Sequence, residues 1–101
     1  MLRARSTPTI ESLRAQREEI LGIAAARGAR NVRVIGSVAR GEARADSDID
    51  FLVEMDAALS VLDLSELILD LEEALGREVD VLESRPSSRG VERIEREAIP
   101  L

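Results

Sequence analysis

Two aspartates one residue apart, Asp48 and Asp50, have the type and spacing best suited to chemistry in this sequence. They open an apolar, β-branched run over residues 49–53, where we predict a strand. Alternate residues of a strand face the same side, so the two carboxylates would lie roughly 6–7 Å apart. Such a pair could bind divalent cations such as Mg²⁺, which prefer oxygen ligands. The alternative is a solvated strand face, although aspartate is unfavourable in strands.

A third aspartate, Asp80, interrupts a second β-branched run, Val79-Asp80-Val81-Leu82. If the two predicted strands are neighbours, Asp80 could join Asp48 and Asp50 in one acidic cluster. Three carboxylates held close together repel one another unless a cation neutralises them. The three aspartates together therefore favour a shared cation site more strongly than any one of them alone.

A turn suited to phosphate precedes the aspartate pair. Gly36 and Ser37 follow a short predicted strand over residues 31–35 and precede a helical turn. Glycine allows a ligand to approach the backbone, and amides at the start of a helical turn can bind phosphate oxygens. Arg40, in the same loop, could grip phosphate with its forked guanidinium. The alternatives are an N-cap role for Ser37 and simple charge balance for Arg40. Turn and carboxylates together suggest a site for a nucleoside triphosphate carried on Mg²⁺.

The composition excludes several other kinds of chemistry. The 101-residue chain contains no Cys, His, Lys, Tyr or Trp, which rules out Ser-His-Asp triads, thiolate or imidazole zinc sites, and lysine-based P-loops. A net charge of −6 disfavours general nucleic-acid binding. No apolar run is long enough to span a membrane, and the first residues do not form a secretory signal. We expect a cytoplasmic protein that binds neither nucleic acid nor membrane.

The elements that must position these residues follow from hydrophobic spacing, in the order α-β-(short α)-β-α-β-α. We predict helices over residues 8–27, 38–43, 60–75 and about 91–98, and strands over residues 31–35, 48–54 and 78–82. The first helix would be capped by Thr7 and stopped by Gly28, and Pro100 would stop the last. The predicted apolar stripes are Ile10, Leu13, Ile20 and Ala24 on the first helix, and Val61, Leu64, Ile68, Leu71 and Leu75 on the long later one. Leu62 and Leu67 flank the second stripe, so contact with a partner is an alternative to complete burial there. This order predicts a sheet covered by helices, with residues 1–6 as a loose tail.

Gly36-Ser37, ten intervening residues and Asp48-x-Asp50 together resemble the signature of the DNA polymerase β-type nucleotidyltransferase superfamily. The run over residues 36–53 looks like its minimal branch, and the strand around Asp80 and the closing residues 94–101 extend the resemblance to nearly the whole chain. The resemblance implies an α/β (α+β) fold in which helices flank a small mixed β-sheet. It also implies a single minimal nucleotidyltransferase domain over residues 1–101.

The resemblance further implies an enzyme that binds ATP with two Mg²⁺ ions and transfers AMP to a hydroxyl. Asp48, Asp50 and Asp80 would be the catalytic, metal-binding residues, and Asp80 would also accept the proton of the attacking hydroxyl. Gly36 and Ser37 would hold the β- and γ-phosphates. The minimal branch is often the antitoxin of a HEPN-domain ribonuclease toxin. The expected partner is such a toxin, with which the chain could form a hetero-oligomer, and the expected acceptor is one of its tyrosines.

Other functions stay open on the sequence alone. A degenerate member of the family could neutralise a toxin by contact, although the three intact carboxylates favour catalysis. A small-molecule nucleotidyltransferase ranks lower because no acceptor-binding domain is expected, and a nucleic-acid polymerase is disfavoured by size and charge. Phe51, the one aromatic residue, is predicted to face the core. Stacking on adenine is therefore not expected, and a partner would have to help close the site.

Overall fold

The computed structural model describes residues 6–56, 60–84 and 94–101. Its elements are α1 (Ile10–Ala15), α2 (Arg17–Ala26), β1 (Ala29–Ile35), α3 (Gly36–Ala39), β2 (Ile49–Met55), α4 (Val61–Leu75), β3 (Val79–Glu83) and β4 (Ile99–Pro100). Residues 94–97 are also helical. The four strands form one mixed sheet in the order β3-β2-β1-β4. A mixed sheet with flanking helices is the predicted architecture.

The sheet register determines which side chains share a face. β2 pairs antiparallel with β1 and parallel with β3, while β4 pairs antiparallel with the other side of β1. In the parallel pair, Ile49 lies opposite Val79 and Asp50 lies opposite Asp80. Because side chains alternate between the faces of a sheet, the first pair enters the core and the second pair projects from the other face.

The core lies between the helices and one face of the sheet. Phe51 is fully buried, as predicted, and α4 contributes Leu67 and Leu71. The remaining buried apolar side chains of this cluster are Leu13, Ile20, Ala24, Ala29, Val32, Val34, Val38, Ile49, Val53 and Val79. The stripe predicted for the first helical region is confirmed, since three of its members are in the core and Ile10 packs against it. Among the described residues, no helix has the length and apolarity needed to cross a membrane.

The first helical region differs from the prediction in its start and in its continuity. The sequence predicts one helix capped by Thr7, but α1 begins after Thr9. The Thr9 hydroxyl accepts the Ser12 N–H at 3.0 Å, and the Ser12 hydroxyl accepts the Thr9 N–H at 2.9 Å. This reciprocal cap satisfies amides that would otherwise lack partners at the helix start. Gln16, with φ −109° and ψ 19°, then separates α1 from α2.

α4 has the predicted ends but a different buried face. Ser60 caps it through a reciprocal hydrogen bond with Asp63, and Gly76 ends it in the left-handed conformation at φ +67°. Leu67, predicted to flank the apolar stripe, is fully buried, whereas Val61, predicted within it, is 80% exposed. The stripe was wrong at these positions because α4 turns Leu67 and Leu71 towards the sheet, and spacing alone does not fix this rotation.

The end of the chain contains a strand that the prediction missed. The sequence predicts a last helix that reaches Ala98 and is stopped by Pro100, but the helical residues end at 97 and Ile99–Pro100 form β4. Proline lacks an N–H donor, so it is tolerated on an edge strand such as this one. The side chain of Arg14 donates to the Pro100 carbonyl at 3.1 Å. The predicted start of that helix near residue 91, and the predicted tail except Ser6, lie outside the described residues.

Candidate active site

The strand register brings two of the three predicted carboxylates together. Asp50 and Asp80 are direct neighbours across β2 and β3, where adjacent strands are about 4.8 Å apart. The sequence predicts Asp48 within the strand, but in the structure it lies just before β2 and is exposed. Its negative charge still acts on Asp50. The three predicted carboxylates are therefore electrostatically coupled at the start of β2.

The electrostatics of the site centre on Asp50. Burial raises the pKa of the Asp50 carboxyl, the charges of Asp80 and Asp48 raise it further, and Arg40 opposes the shift. An excess of negative charge on oxygen donors fits a hard cation such as Mg²⁺. No three acidic side chains within the described ranges already form a group that could hold a metal ion. Protein oxygens would thus supply part of a Mg²⁺ shell, and phosphate oxygens and water would supply the rest.

The predicted phosphate turn lies directly against this carboxylate. Gly36 has φ +73°, and a Cβ added there would clash with Oδ2 of Asp50 and lie 3.3 Å from its Cγ. Only glycine therefore lets β1 turn into α3 at this distance from Asp50. The helix begins at Gly36, its N-cap is Ile35, and no side chain caps it. The N-cap alternative for Ser37 is thus wrong, and the first amides of α3 have no partner within the helix.

Arg40 lies at the end of α3 and is exposed. Its Nε donates to Oε2 of Glu42 at 3.3 Å, and both side chains face solvent, where such a pair contributes little stability. The same guanidinium is near enough to lower the pKa of Asp50. Arg40 could therefore leave Glu42 for a phosphate group beside Asp50 at small cost.

Arg77 is a residue of this region that the sequence did not single out. Its Nη1 donates to the carbonyls of Ala45 at 2.8 Å and Ser47 at 3.1 Å, and its Nη2 donates to the carbonyl of Ser6 at 2.6 Å. These bonds fix the loop that leads directly into Asp48. The contacts span 30 or more residues, so no local pattern could have revealed them.

An open cleft of about 840 Å³ adjoins the carboxylates. Asp48 lines it, whereas Asp50 and Asp80 do not. Its other lining residues are Ala45, Asp46, Ser47, Glu72, Gly76, Arg77 and Glu78. The carboxylate cluster therefore lies beside this cleft and shares only Asp48 with it.

The nucleotidyltransferase domain family matches residues 17–100, a range that contains all the predicted site residues. The chain belongs to this family. A relative from Methanocaldococcus jannaschii, provisionally named a protein adenylyltransferase, is 46% identical over 66 residues, which are 65% of this chain and 71% of the relative. The protein adenylyltransferase MntA of Thermococcus cleftensis is 41% identical over 64 residues, which are 63% of this chain and 65% of the relative. The chain thus matches just under two thirds of the second relative.

Solved structures agree with this assignment. One, described provisionally as a minimal nucleotidyltransferase, is 48% identical with a TM-score of 0.79, over 93% of this chain and 97% of the other. A crystal structure of a toxin–antitoxin with AMP-PNP has a TM-score of 0.71 at 22% identity, over 82% of this chain and 69% of the other. At that identity the likeness concerns the fold alone. The predicted family, its fold and the assignment to the nucleotidyltransferases are confirmed.

Proposed function

We propose that this nucleotidyltransferase uses Mg²⁺ and ATP to transfer AMP to a hydroxyl of a toxin protein and so acts as an antitoxin. The observation that carries the proposal is the pairing of Asp50 with Asp80 beside the Gly36 turn. Two relatives named as protein adenylyltransferases support a protein acceptor. The toxin–antitoxin of similar fold that was crystallised with AMP-PNP supports ATP as the substrate and a toxin as the partner.

In this proposal Asp48, Asp50 and Asp80, together with phosphate oxygens and water, would hold two Mg²⁺ ions. Bound Mg²⁺ stabilises negative charge on the attacking and leaving oxygens of such a displacement. The acceptor oxygen forms a bond to the α-phosphorus, the bond from that phosphorus to the bridging oxygen of the β-phosphate breaks, and pyrophosphate leaves. Asp80, exposed on its strand, accepts the proton of the acceptor hydroxyl. A neighbouring cation would stabilise the charged form of Asp50, whose pKa is raised by burial and by the nearby carboxylates.

The turn after β1 positions the triphosphate. Because Gly36 has no side chain, the nucleotide can approach the backbone next to Asp50. The first amides of α3, which have no partner within the helix, would donate together with the hydroxyl of Ser37 to the β- and γ-phosphates. Arg40 adds a charged donor, which offsets the repulsion between phosphate and the aspartates.

The acceptor and part of the nucleotide pocket come from the partner. The chain has no tyrosine of its own, so an acceptor tyrosine must belong to another protein, which we take to be a HEPN-type toxin. Phe51, the one aromatic side chain, is fully buried and cannot stack on adenine. A hetero-oligomer with the toxin would therefore supply both the acceptor hydroxyl and contacts to the base.

Transfer of labelled AMP tests this function. The protein is incubated with ATP labelled on its α-phosphate and with Mg²⁺. The reaction is run with and without the expected toxin, which is the purified protein encoded by the reading frame adjacent to the gene of this chain. We expect label on the partner, and a loss of roughly 10²- to 10³-fold or more in Asp48→Asn/Asp50→Asn, because each lost carboxylate removes a proposed ligand of the Mg²⁺ that stabilises negative charge in the transition state. Asp56→Asn, an exposed aspartate at the end of β2, is the matched control and should transfer normally.

The same assay separates the alternatives. If the wild type transfers no label and Asp48→Asn/Asp50→Asn still neutralises the toxin, the proposed transfer is wrong. The protein would then inhibit the toxin through contact alone. Label that appears on a small-molecule alcohol and never on the partner would indicate a small-molecule transferase. Mass spectrometry of the modified partner identifies the acceptor, which we expect to be a tyrosine.

A further inference from the structure

The outer face of α4 is unusually apolar for a surface that faces solvent. Val61, Leu62 and Leu69 are 80%, 67% and 63% exposed, at positions where a surface helix normally carries polar residues. Leu62 and Leu69 are seven residues apart and therefore lie on the same face, two turns from one another. These three residues form a surface that we call the α4 strip.

The charges that α4 itself carries all have one sign. α4 carries five acidic residues and no basic one, namely Asp63, Glu66, Asp70, Glu72 and Glu73. Arg27 of the neighbouring α2 end pairs with Glu66 and, at 2.8 Å, with Asp70. By helical spacing, Glu66 and Glu73 lie four residues from Leu62 and Leu69 respectively and border the same face. The strip is thus an apolar surface with an acidic edge.

We propose that the α4 strip docks a basic amphipathic helix of a partner protein. The apolar side chains of that helix would cover Leu62 and Leu69. Its arginines or lysines would face Glu73 and the net negative group in which Glu66 and Asp70 share Arg27. This charge pattern disfavours a second copy of the chain, because each α4 has five carboxylates and only one arginine, Arg27, pairs with two of them. Two such helices face to face would therefore repel one another. The same charge pattern also disfavours nucleic acid and anionic membranes, which would be repelled.

The α4 strip is separate from the carboxylate site. α4 packs through Leu67 and Leu71 in the same core cluster as Phe51, and Phe51 alternates with Asp50 along β2, so Asp50 projects from the opposite face of the sheet. The strip is on the side of α4 that turns away from the core. Docking there would raise the local concentration of the partner without touching the reacting groups.

A binding measurement tests the inference, with the purified product of the adjacent reading frame as the probe. We expect Leu62→Ala/Leu69→Ala to raise the dissociation constant at least about tenfold, because a few apolar anchor residues supply much of the binding free energy of such an interface. Glu73→Arg should weaken binding and its salt dependence, and Glu18→Arg, an exposed acid on α2, is its control.

A second measurement does not depend on affinity. The chain has no cysteine, so Ser65→Cys, which is exposed on α4, carries a single environment-sensitive fluorophore beside the strip. Its emission should shift when the partner binds and remain unchanged when the fluorophore is at Glu18→Cys. Circular dichroism checks that every variant keeps its helices, as expected for substitutions of exposed side chains.

Three results would overturn the inference. One is unchanged affinity in Leu62→Ala/Leu69→Ala, and another is no complex of the wild type with the probe. The third is a wild-type dimer in sedimentation that dissociates in the double variant, which would make a second copy the occupant. The inference does not need AMP transfer: a partner that docks on the strip but receives no label would refute the proposed function alone. Label transferred normally by the double variant at every partner concentration would refute docking alone.

Discussion

At the scale of single residues, the negative charge that Asp50 would offer to a metal ion also lowers the stability of the folded state. Burial and the charges of Asp80 and Asp48 raise its pKa above the ordinary value of 3.8. At low pH the group is protonated in both the folded and the unfolded chain, so it does not affect stability. As pH rises from 3.8 through the raised pKa, the unfolded chain loses this proton more readily, and the folded state becomes relatively less stable.

Asp50→Asn should therefore stabilise the protein near pH 7 in the absence of metal, because it removes a carboxylate repelled by its neighbours. The gain should disappear below about pH 3.8, where the wild-type carboxyl is already neutral in both states. Thermal unfolding in EDTA across this pH range measures the difference, with Asp56→Asn as the control. A melting temperature lower than that of the wild type at pH 7 would show that Asp50 is not under electrostatic strain.

Gly36 has a role that a matched glycine isolates. Gly36→Ala places a methyl group against Oδ2 of Asp50 at φ +73°, whereas Gly76→Ala, at φ +67°, meets no atom within 4 Å. Both variants incur the backbone cost of a left-handed alanine, about 1 kcal/mol, but only the first displaces Asp50. We expect similar or greater destabilisation in Gly36→Ala, and loss of AMP transfer only there. Equal transfer rates in the two folded variants would contradict a close approach at Gly36.

At the scale of elements, local signals could be predicted from the sequence and long-range contacts could not. The strand alternation around Phe51 and the helical spacing from about residue 60 to residue 75 each act within a few residues, and each matches the structure. β4 was missed because its two residues become a strand only by pairing with β1. For the same reason the sequence indicated Asp80 as a candidate but could not show that it lies opposite Asp50. That pairing depends on the parallel register of β2 and β3.

Arg77 shows how residues distant in sequence fix the loop before Asp48, a proposed catalytic residue. Arg77→Lys keeps the charge, but one ammonium group cannot reproduce the fork that binds the carbonyls of Ala45, Ser47 and Ser6. We expect AMP transfer at saturating ATP to fall about 10- to 100-fold, as for other residues that orient metal ligands, and the Mg²⁺ requirement to rise. Arg14→Lys, which alters a guanidinium bond to the Pro100 carbonyl, is the control. Unchanged Mg²⁺ dependence in Arg77→Lys would assign Arg77 a purely structural role.

At the scale of the whole molecule, the two proposed surfaces, the carboxylate site and the α4 strip, lie on opposite sides of one sheet. The carboxylate site has no aromatic side chain for the base, because Phe51 is buried in the core, whereas the α4 strip offers exposed apolar area. The net charge of −6 favours rapid association with a basic partner at low salt. On the proposed function, this small domain would leave both the acceptor and a wall of its pocket to the partner protein.

The proposed dependence on a partner predicts how the isolated chain responds to ATP. ATP bound to the folded state alone at ten times its dissociation constant adds about 1.4 kcal/mol to the free energy of unfolding, a rise of roughly 5–10 °C in the melting temperature of a domain this size. The rise should require Mg²⁺ and ATP together, because the phosphates complete the shell around the metal that the carboxylates begin. It should be absent in Asp48→Asn/Asp50→Asn and similar for ATP and GTP, since no aromatic side chain is available to select the base. A strong preference for ATP by the chain alone would show that its own residues select the base without the partner.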